Sequence, residues 1–231
     1  MAVSTLRTVL FDLDGTLLDT APDLAAALNQ LLVENQRDTL PFETIRPWVS
    51  HGGAALIHYG FQLEAEHAAF APLRQRLLDI YRDNIANLTR LFPGMAEVLN
   101  TLEERQLKWG VVTNKPGWLT EPLLEQLGLQ PRCACIVSGD TLKERKPHPA
   151  PLLHACALTG SRADECLYIG DTRRDIEAGR NAQMKTLVAL FGYLGVDDRP
   201  EEWLADGMLE QPADILKWLA ADAGKQVGGL N

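Results

Sequence analysis

The chain of 231 residues lacks an excess of positive charge, because 22 lysines and arginines stand against 31 aspartates and glutamates. The net charge of −9 argues against a protein that binds the nucleic-acid backbone, which requires a basic surface. The apolar run near the N-terminus is too short for a signal-peptide core or a membrane span. We therefore expect a cytoplasmic protein with neither a nucleic-acid nor a membrane partner.

Cysteine is scarce as well, with four in the whole chain. Cys133 and Cys135 form a pair, but no second pair and no histidine follow at the spacing of a zinc site. We expect free thiols rather than a structural metal site.

Two further absences exclude particular kinds of chemistry. Residues 20–90 contain no lysine, which argues against a Schiff base formed by a lysine of this stretch. The first apolar run, Thr8–Phe11, is followed by Asp-Leu-Asp-Gly rather than by a glycine-rich dinucleotide turn. A nucleotide-binding oxidoreductase is therefore disfavoured.

Short apolar segments, each followed by small or polar residues, are typical of parallel strands buried on both faces. They occupy residues 8–11, 109–112, 134–137, 166–169 and 186–190. Helical patterns separate the later segments, at residues 95–105, 118–127, 150–159 and 175–182. This alternation predicts an α/β fold with a doubly wound parallel sheet.

A long stretch between the first two strands breaks the alternation. Residues 20–90 have helical periodicity, with further helices predicted at 41–49 and 68–87, and are too long for a plain crossover. We predict a core formed by residues 1–19 and 91–231, with 20–90 as an inserted helical domain.

Acidic residues directly follow the first strand. Asp12 and Asp14 would both point into a cleft at the carboxyl edge of the sheet, where ligands of open parallel sheets bind. Such close carboxylates usually share a cation or a proton. Gly15 allows a tight turn whose N–H groups can face an anion, although an ordinary Asp-Gly turn is the alternative.

Three later motifs also follow predicted strands or loops. Thr113 and Asn114 could contact phosphate oxygens, although a polar turn is the better interpretation of these residues taken alone. Lys146 is a single cation next to prolines, and a lone lysine is more often a solvated surface residue. Asp171 and Asp175 suit Mg²⁺, unless Asp171 only caps the following helix.

Together and in this order, these motifs resemble the haloacid dehalogenase superfamily of phosphohydrolases. Residues 111–116 and Lys146-Pro147 are similar to its phosphoglycolate phosphatase branch, which also contains N-acetylmuramic acid 6-phosphate phosphatases. The resemblance implies a Rossmann-like core with a C1-type cap at residues 20–90. It also implies a Mg²⁺-dependent phosphatase that hydrolyses a small phosphomonoester, as a monomer or homodimer.

The resemblance assigns roles to the motif residues. Asp12 would be the nucleophile and Asp14 the general acid and base, with Thr113 and Lys146 completing the catalytic set. The implied magnesium ligands are Asp12, Asp14, Asp171 and Asp175. The implied phosphate contacts are Gly15, Thr16, Thr113, Asn114 and Lys146.

The substrate is left open between 2-phosphoglycolate and a sugar phosphate such as N-acetylmuramic acid 6-phosphate. The candidate residues of the cap are Arg46, Ser50, His51 and Gly52, although Arg46 could be a surface charge and His51 a loop residue. Asp14 argues against a dehalogenase, which needs no acid for a phosphate leaving group. A sugar-phosphate mutase stays open because it can use the same acids, and a phosphate carrier without turnover is the non-enzyme alternative.

Overall fold

The computed structural model describes residues 6–228, and the side chains of residues 6–221. Its strands, in chain order, are β1 (Thr8–Phe11), β2 (Leu18–Asp19), β3 (Arg90–Leu91), β4 (Lys108–Val112), β5 (Ile136–Val137), β6 (Cys166–Gly170), β7 (Lys185–Ala189) and β8 (Gly207–Leu209). Six of them form one parallel sheet in the order β5-β4-β1-β6-β7-β8, whereas β2 and β3 form a separate antiparallel pair. The predicted parallel sheet is confirmed, and β8 is a strand that the sequence patterns did not indicate.

The helices are α1 (Ala21–Glu34), α2 (Phe42–Ile45), α3 (Gly52–Phe61), α4 (Phe70–Asp83), α5 (Met95–Glu104), α6 (Gly117–Gln126), α7 (Ala150–Thr159), α8 (Arg173–Asn181) and α9 (Asp214–Gly228). Helices α5 to α8 match the four helices predicted between the strands. The additional helix α9 was not predicted. The proposed core segments 1–19 and 91–231 extend beyond the described residues at both ends.

The register of the sheet aligns the ends of its central strands. Phe11, the last residue of β1, pairs with Val111 on one side and with Ile169 on the other. All four residues of β1 are fully buried. The residues that follow these three strands therefore meet at one edge of the sheet, as expected for parallel strands.

The segment between β2 and β3 is helical, with α1 packed against α3 and α4. Its apolar positions at helical spacing, including Leu24, Leu28 and Leu31, are buried as predicted. The helix predicted over residues 41–49 is instead the short α2 followed by a 3₁₀ helix, Arg46–His51. Pro47 has no N–H to donate, so a continuous α-helix through it would lose a backbone hydrogen bond.

The two ends of this helical segment are tied together. Leu18 pairs with Leu91 and Asp19 with Arg90 in the β2–β3 pair. Nearby, the buried Asp23 carboxylate accepts hydrogen bonds from the Leu88 and Thr89 N–H groups and from the Thr89 hydroxyl, at 2.7–3.1 Å. The chain thus enters and leaves the helical segment at adjacent positions. Within the described range, no helix has the length and apolar character needed to cross a membrane.

Candidate active site

Asp12 directly follows β1, and its carboxylate contacts a buried lysine. The Lys146 ammonium lies 2.9 Å from Asp12 Oδ1 and 2.7 Å from Asp175 Oδ1, and it donates to the Tyr168 hydroxyl at 2.8 Å. All four side chains are buried. Burial of an unpaired charge is costly. The Lys146 ammonium and the two carboxylates therefore stabilise each other's ionised forms.

Three carboxylates, from Asp12, Asp171 and Asp175, have oxygens that all lie within 4.8 Å of one another. Burial, followed by the charges of Asp175 and Asp12, raises the pKa of Asp171 to about 7. Burial also raises the pKa of Asp12, despite the opposing charge of Lys146. For Asp175, burial alone would raise the pKa, but the cations Lys146 and Arg174 bring it below its ordinary value.

This cluster fits a divalent cation on chemical grounds. It offers hard oxygen ligands, and one ammonium cannot neutralise three buried carboxylates. The raised pKa of Asp171 comes first from burial and then from the negative charges of Asp175 and Asp12, and a bound cation would offset both.

Gly15 lies tightly against the cluster. Its φ of +84° is left-handed, and a Cβ at this position would collide with the Asp171 carboxylate and with the ring of Tyr193. Only glycine therefore allows the turn after β1 to approach the acidic cluster so closely.

Asp14 points away from the cluster toward a different cation. Its carboxylate accepts hydrogen bonds from the Thr20 hydroxyl at 2.6 Å and from the Lys115 ammonium at 2.9 Å. Burial would lower the pKa of Lys115, but Asp14 and then Tyr81 raise it above its ordinary value. The Asp12 and Asp14 side chains thus have separate cation partners, although they are two residues apart.

Of the predicted phosphate contacts, Thr113 lines the main cavity and is buried. Asn114 lines it too, but its amide donates to the Lys146 carbonyl and accepts from the Lys146 N–H, both at 3.0 Å. Asn114 therefore holds the backbone that carries the catalytic lysine candidate.

The N–H groups of the turn after Asp12 are bonded within the turn. Gly15 donates to the Leu18 carbonyl at 3.0 Å and Thr16 to the Leu13 carbonyl at 3.4 Å. The buried Thr16 hydroxyl lies 3.4 Å from Asp171 Oδ1. Gly15 and Thr16 lie beside Asp171 and are not among the residues that line the main cavity. Their role as phosphate contacts stays a prediction.

The main cavity, of about 290 Å³, lies between the sheet edge and the helical segment. Asp12, Asp14 and Thr113 line it from the sheet, and residues 49–54 line it from the helical segment. Three of the candidate residues of the predicted cap, Ser50, His51 and Gly52, belong to that stretch.

Ser50 contacts the acidic cluster directly, since its hydroxyl donates to Asp171 Oδ2 at 2.7 Å. Burial, followed by the charge of Arg174, lowers the pKa of His51. Arg46 is placed elsewhere: it donates to the Gly192 and Phe191 carbonyls at 2.9 and 3.2 Å and does not line the main cavity. Its contacts are those of a link between the helical segment and the loop after β7.

Several contributing residues were not identified from the sequence. Tyr168 supports Lys146, and the Tyr193 N–H donates to Asp171 at 3.0 Å. Arg174 lines the main cavity beside Asp175, and its guanidinium donates to the Ser50 carbonyl. For Tyr168 and Arg174, the position in the sequence was the signal that could have indicated a role in the site. Tyr168 lies on a predicted strand, and Arg174 lies between the motif acids Asp171 and Asp175.

Comparisons with known proteins agree with this architecture. The model of the family described as haloacid dehalogenase-like hydrolase matches residues 9–189. A Xanthomonas campestris protein named phosphoglycolate phosphatase is 44% identical over 209 residues, covering 90% of this chain and 94% of the relative. A Pseudomonas putida protein named N-acetylmuramic acid 6-phosphate phosphatase is 41% identical over 212 residues, covering 92% and 95%.

Among solved structures, the crystal structure of a predicted phosphoglycolate phosphatase from Haemophilus somnus is similar, with a TM-score of 0.81 and 28% identity. The match covers 92% of this chain and 97% of that one. The family match extends from the first strand through β7 and includes all the acidic residues of the site. On this basis the chain belongs to the haloacid dehalogenase-like hydrolase family.

Proposed function

We propose that this protein is a magnesium-dependent phosphatase that hydrolyses a small phosphomonoester through an aspartyl phosphate on Asp12. The observation that carries the proposal is the position of Asp12, which lines the cavity while its carboxylate contacts the buried Lys146. The phosphatase names of relatives at 44% and 41% identity support the same reaction.

Asp12, Asp171 and Asp175 would hold the magnesium ion, with the Asp14 backbone carbonyl as a further oxygen ligand. When bound, the ion supplies positive charge that offsets the repulsion between a phosphate dianion and an attacking carboxylate. Lys146 adds a fixed positive charge between Asp12 and Asp175. Thr113 supplies a hydroxyl in the cavity for the transferring oxygens.

In the first half-reaction, an Asp12 oxygen forms a bond to phosphorus while the bond between phosphorus and the ester oxygen breaks. Asp14, once protonated, gives its proton to the departing alkoxide. In the second half-reaction, Asp14 takes a proton from water, and that water oxygen bonds to phosphorus. Asp12 is released as a carboxylate with inorganic phosphate. The contacts of Asp14 with Thr20 and Lys115 fix it at the cavity wall for both steps.

Residues 20–90 would act as a C1-type cap that closes over the substrate. The support is that residues 49–54 line the cavity opposite the sheet edge and that the segment joins the core at the narrow β2–β3 pair. A cap closed in this way excludes bulk water from the aspartyl phosphate and contacts the leaving group. Ser50 and His51 would be its contact residues, whereas Arg46 would stabilise the closed position through the Phe191 and Gly192 carbonyls.

The first substrate that we propose is 2-phosphoglycolate, the substrate named for the Xanthomonas relative. A second candidate is N-acetylmuramic acid 6-phosphate, named for the Pseudomonas relative. The volume of the cavity favours the larger molecule, because about 290 Å³ corresponds to on the order of ten water molecules. Leu24, Leu78 and Leu119 add apolar walls that a two-carbon acid would leave uncovered.

Release of inorganic phosphate tests the proposal. The panel contains both named substrates, common sugar phosphates and nucleotides, with magnesium or with excess EDTA. We expect release that requires magnesium and that falls by roughly a thousandfold or more in Asp12→Asn, because the nucleophile is lost. Asp38→Asn, an exposed change outside the cavity, is the matched control and should retain activity.

Two outcomes would contradict the proposal. Equal release by Asp12→Asn and the parent protein would exclude Asp12 as nucleophile. Isomerised sugar phosphate without free phosphate, separated by ion-exchange chromatography, would identify a mutase instead.

We also propose that the enzyme acts in the cytoplasm, as a monomer or a homodimer. The four cysteines are free thiols, which is the usual state in a reducing cytoplasm. The described residues enclose the cavity within one chain, so a monomer would suffice for the reaction. A homodimer is compatible with the same chemistry.

A further inference from the structure

Three arginines, Arg74, Arg145 and Arg174, line the main cavity in addition to the lysines already described. They come from separate places in the chain, namely α4, the loop before Lys146, and the first turn of α8. None of the three has an acidic partner within ion-pair distance among the described residues. The ion pairs near the cavity are those of Lys115 with Asp14 and of Lys146 with Asp12 and Asp175.

The phosphoryl site does not account for these arginines. The carboxylates of the sheet edge already have the two lysines, and the acidic cluster fits a divalent cation. The arginines add three positive charges to the same cavity, and arginine is the side chain best suited to hold a planar carboxylate through two hydrogen bonds.

Two buried donors around this cavity lack partners. Arg174 donates through one terminal nitrogen to the Ser50 carbonyl, but its Nε is buried and has no hydrogen-bond partner among the described residues. The Tyr81 hydroxyl is buried and also makes no hydrogen bond there, although the Lys115 ammonium lies 4.4 Å from the centre of its ring. Buried polar groups are rarely left unpaired, so both donors indicate a ligand.

We propose that Arg74, Arg145, Arg174 and the Tyr81 hydroxyl form a subsite for a carboxylate on the leaving group of the substrate. This inference rests on the proposed phosphatase function and adds to it the residues that recognise the carboxylate of such substrates. Burial raises the pKa of Tyr81 to about 12, so its hydroxyl stays protonated and can donate. The subsite selects between substrates, whereas Asp12 and Lys146 act on every phosphomonoester.

The test compares pairs of related substrates in which one member carries a carboxylate and the other does not. N-acetylmuramic acid 6-phosphate is paired with N-acetylglucosamine 6-phosphate, which lacks the lactyl acid. In the same way, 2-phosphoglycolate is paired with 2-hydroxyethyl phosphate. For the parent protein we expect kcat/KM to be higher for the acid of at least one pair by roughly 10- to 100-fold, the range for hydrogen bonds to charged groups.

The variants are Arg74→Gln, Arg145→Gln and Tyr81→Phe. Arg174 is left unchanged in the kinetic test, because its charge also acts on Asp175 of the acidic cluster. Each variant should lower kcat/KM for the acid and leave kcat/KM for the counterpart without a carboxylate within a few-fold, because the counterpart has no group that binds the subsite. Tyr81→Phe keeps the buried ring, and so separates loss of the hydroxyl from loss of folding. Arg76→Gln is the matched control on α4, since Arg76 pairs with Glu34 and lies outside the cavity.

Equal losses of kcat/KM for the acid and for the counterpart without a carboxylate would overturn the subsite. Such a result would assign the arginines to binding of the phosphate itself. Absence of magnesium-dependent release from all four molecules would contradict the phosphatase function instead. In that case calorimetry with Asp12→Asn tests the subsite without turnover. Tighter binding of the acids, weakened by Arg145→Gln, would support the subsite. Equal binding of the acids and of their counterparts without a carboxylate would exclude it.

Discussion

Lys146 is the residue whose surroundings differ most from what its sequence context suggests. It follows Glu144 and Arg145 and precedes Pro147, a context typical of a surface loop, yet it is only 3% exposed. Its ammonium contacts two carboxylates and a tyrosine hydroxyl. The acids and the lysine can stay ionised at this depth because each offsets the charge of the other.

We expect Lys146→Met to lower both activity and stability. The side chain keeps its length but loses the charge, which leaves Asp12 and Asp175 without their buried cation. Breaking a buried ion pair on one side costs about 3–5 kcal/mol, so the free energy of unfolding in urea should fall by this order. Phosphate release should fall at least roughly a hundredfold. The exposed Lys143→Met is the control, and similar results for both variants would contradict the role of Lys146.

Asn114 is an example of a residue whose type and position do not determine the partner of its side chain. Its place after β4 was predicted correctly, and it does line the cavity. Its amide, however, is committed to the main chain of Lys146. The sequence shows that an amide follows the strand. The direction of this side chain depends on the loop that carries Lys146, which lies about thirty residues later in the chain.

At the scale of elements, the helical segment depends on a small junction. Its first helix begins with Pro22 in the first turn, which suits the fixed φ of proline, and Asp23 follows. The Asp23 carboxylate binds the chain just before β3, 65 residues later. This contact holds the beginning and the end of the helical segment next to each other.

Asp23→Ala should therefore destabilise the whole molecule. The change leaves the buried N–H and hydroxyl of Thr89 without an acceptor, and each buried group left unpaired costs about 1–3 kcal/mol. Urea unfolding should show a loss of at least about 2 kcal/mol. Asp83→Ala, an exposed change at the end of α4, should stay within about 0.5 kcal/mol of the parent. A loss for Asp23→Ala no larger than for Asp83→Ala would show that the junction adds nothing to stability.

For the whole molecule, we expect the acidic cluster to make stability depend on pH and on the proposed magnesium ion. The pKa of Asp171 is about 7 in the folded protein, against an ordinary value of 3.8. Between these pH values the folded state keeps a proton that the unfolded state has released. The free energy of unfolding of the metal-free protein therefore receives from Asp171 a contribution that falls as pH rises to about 7.

Magnesium should reverse this loss, because it binds ionised carboxylates of the folded state. We expect the rise in melting temperature caused by magnesium, relative to EDTA, to be larger at pH 8 than at pH 5.5. Thermal unfolding followed by circular dichroism measures it. Asp171→Asn should show a small and nearly pH-independent rise. A rise of equal size at both pH values in the parent protein would contradict the proposed metal site.

The parallel sheet, the motifs at its edge and the helical segment after the first strand could all be predicted from the sequence. These features depend on local patterns: buried strands need apolar runs, and helices need apolar residues at their own period. Strand β8 and helix α9 were missed, and so was the break between α2 and the 3₁₀ helix, where Pro47 competes with the apolar periodicity.

The set of side chains that share the cavity could not be predicted from the sequence, because it depends on how the elements pack. Asp12 and Asp14 are neighbours in the chain but contact different lysines, whereas Arg74, Arg145 and Arg174 are distant in the chain and line one cavity. The reason is physical: local periodicity places a residue on a strand or helix, but its partners depend on which elements pack together. Charge pairing across those elements then selects between a surface lysine and a buried one.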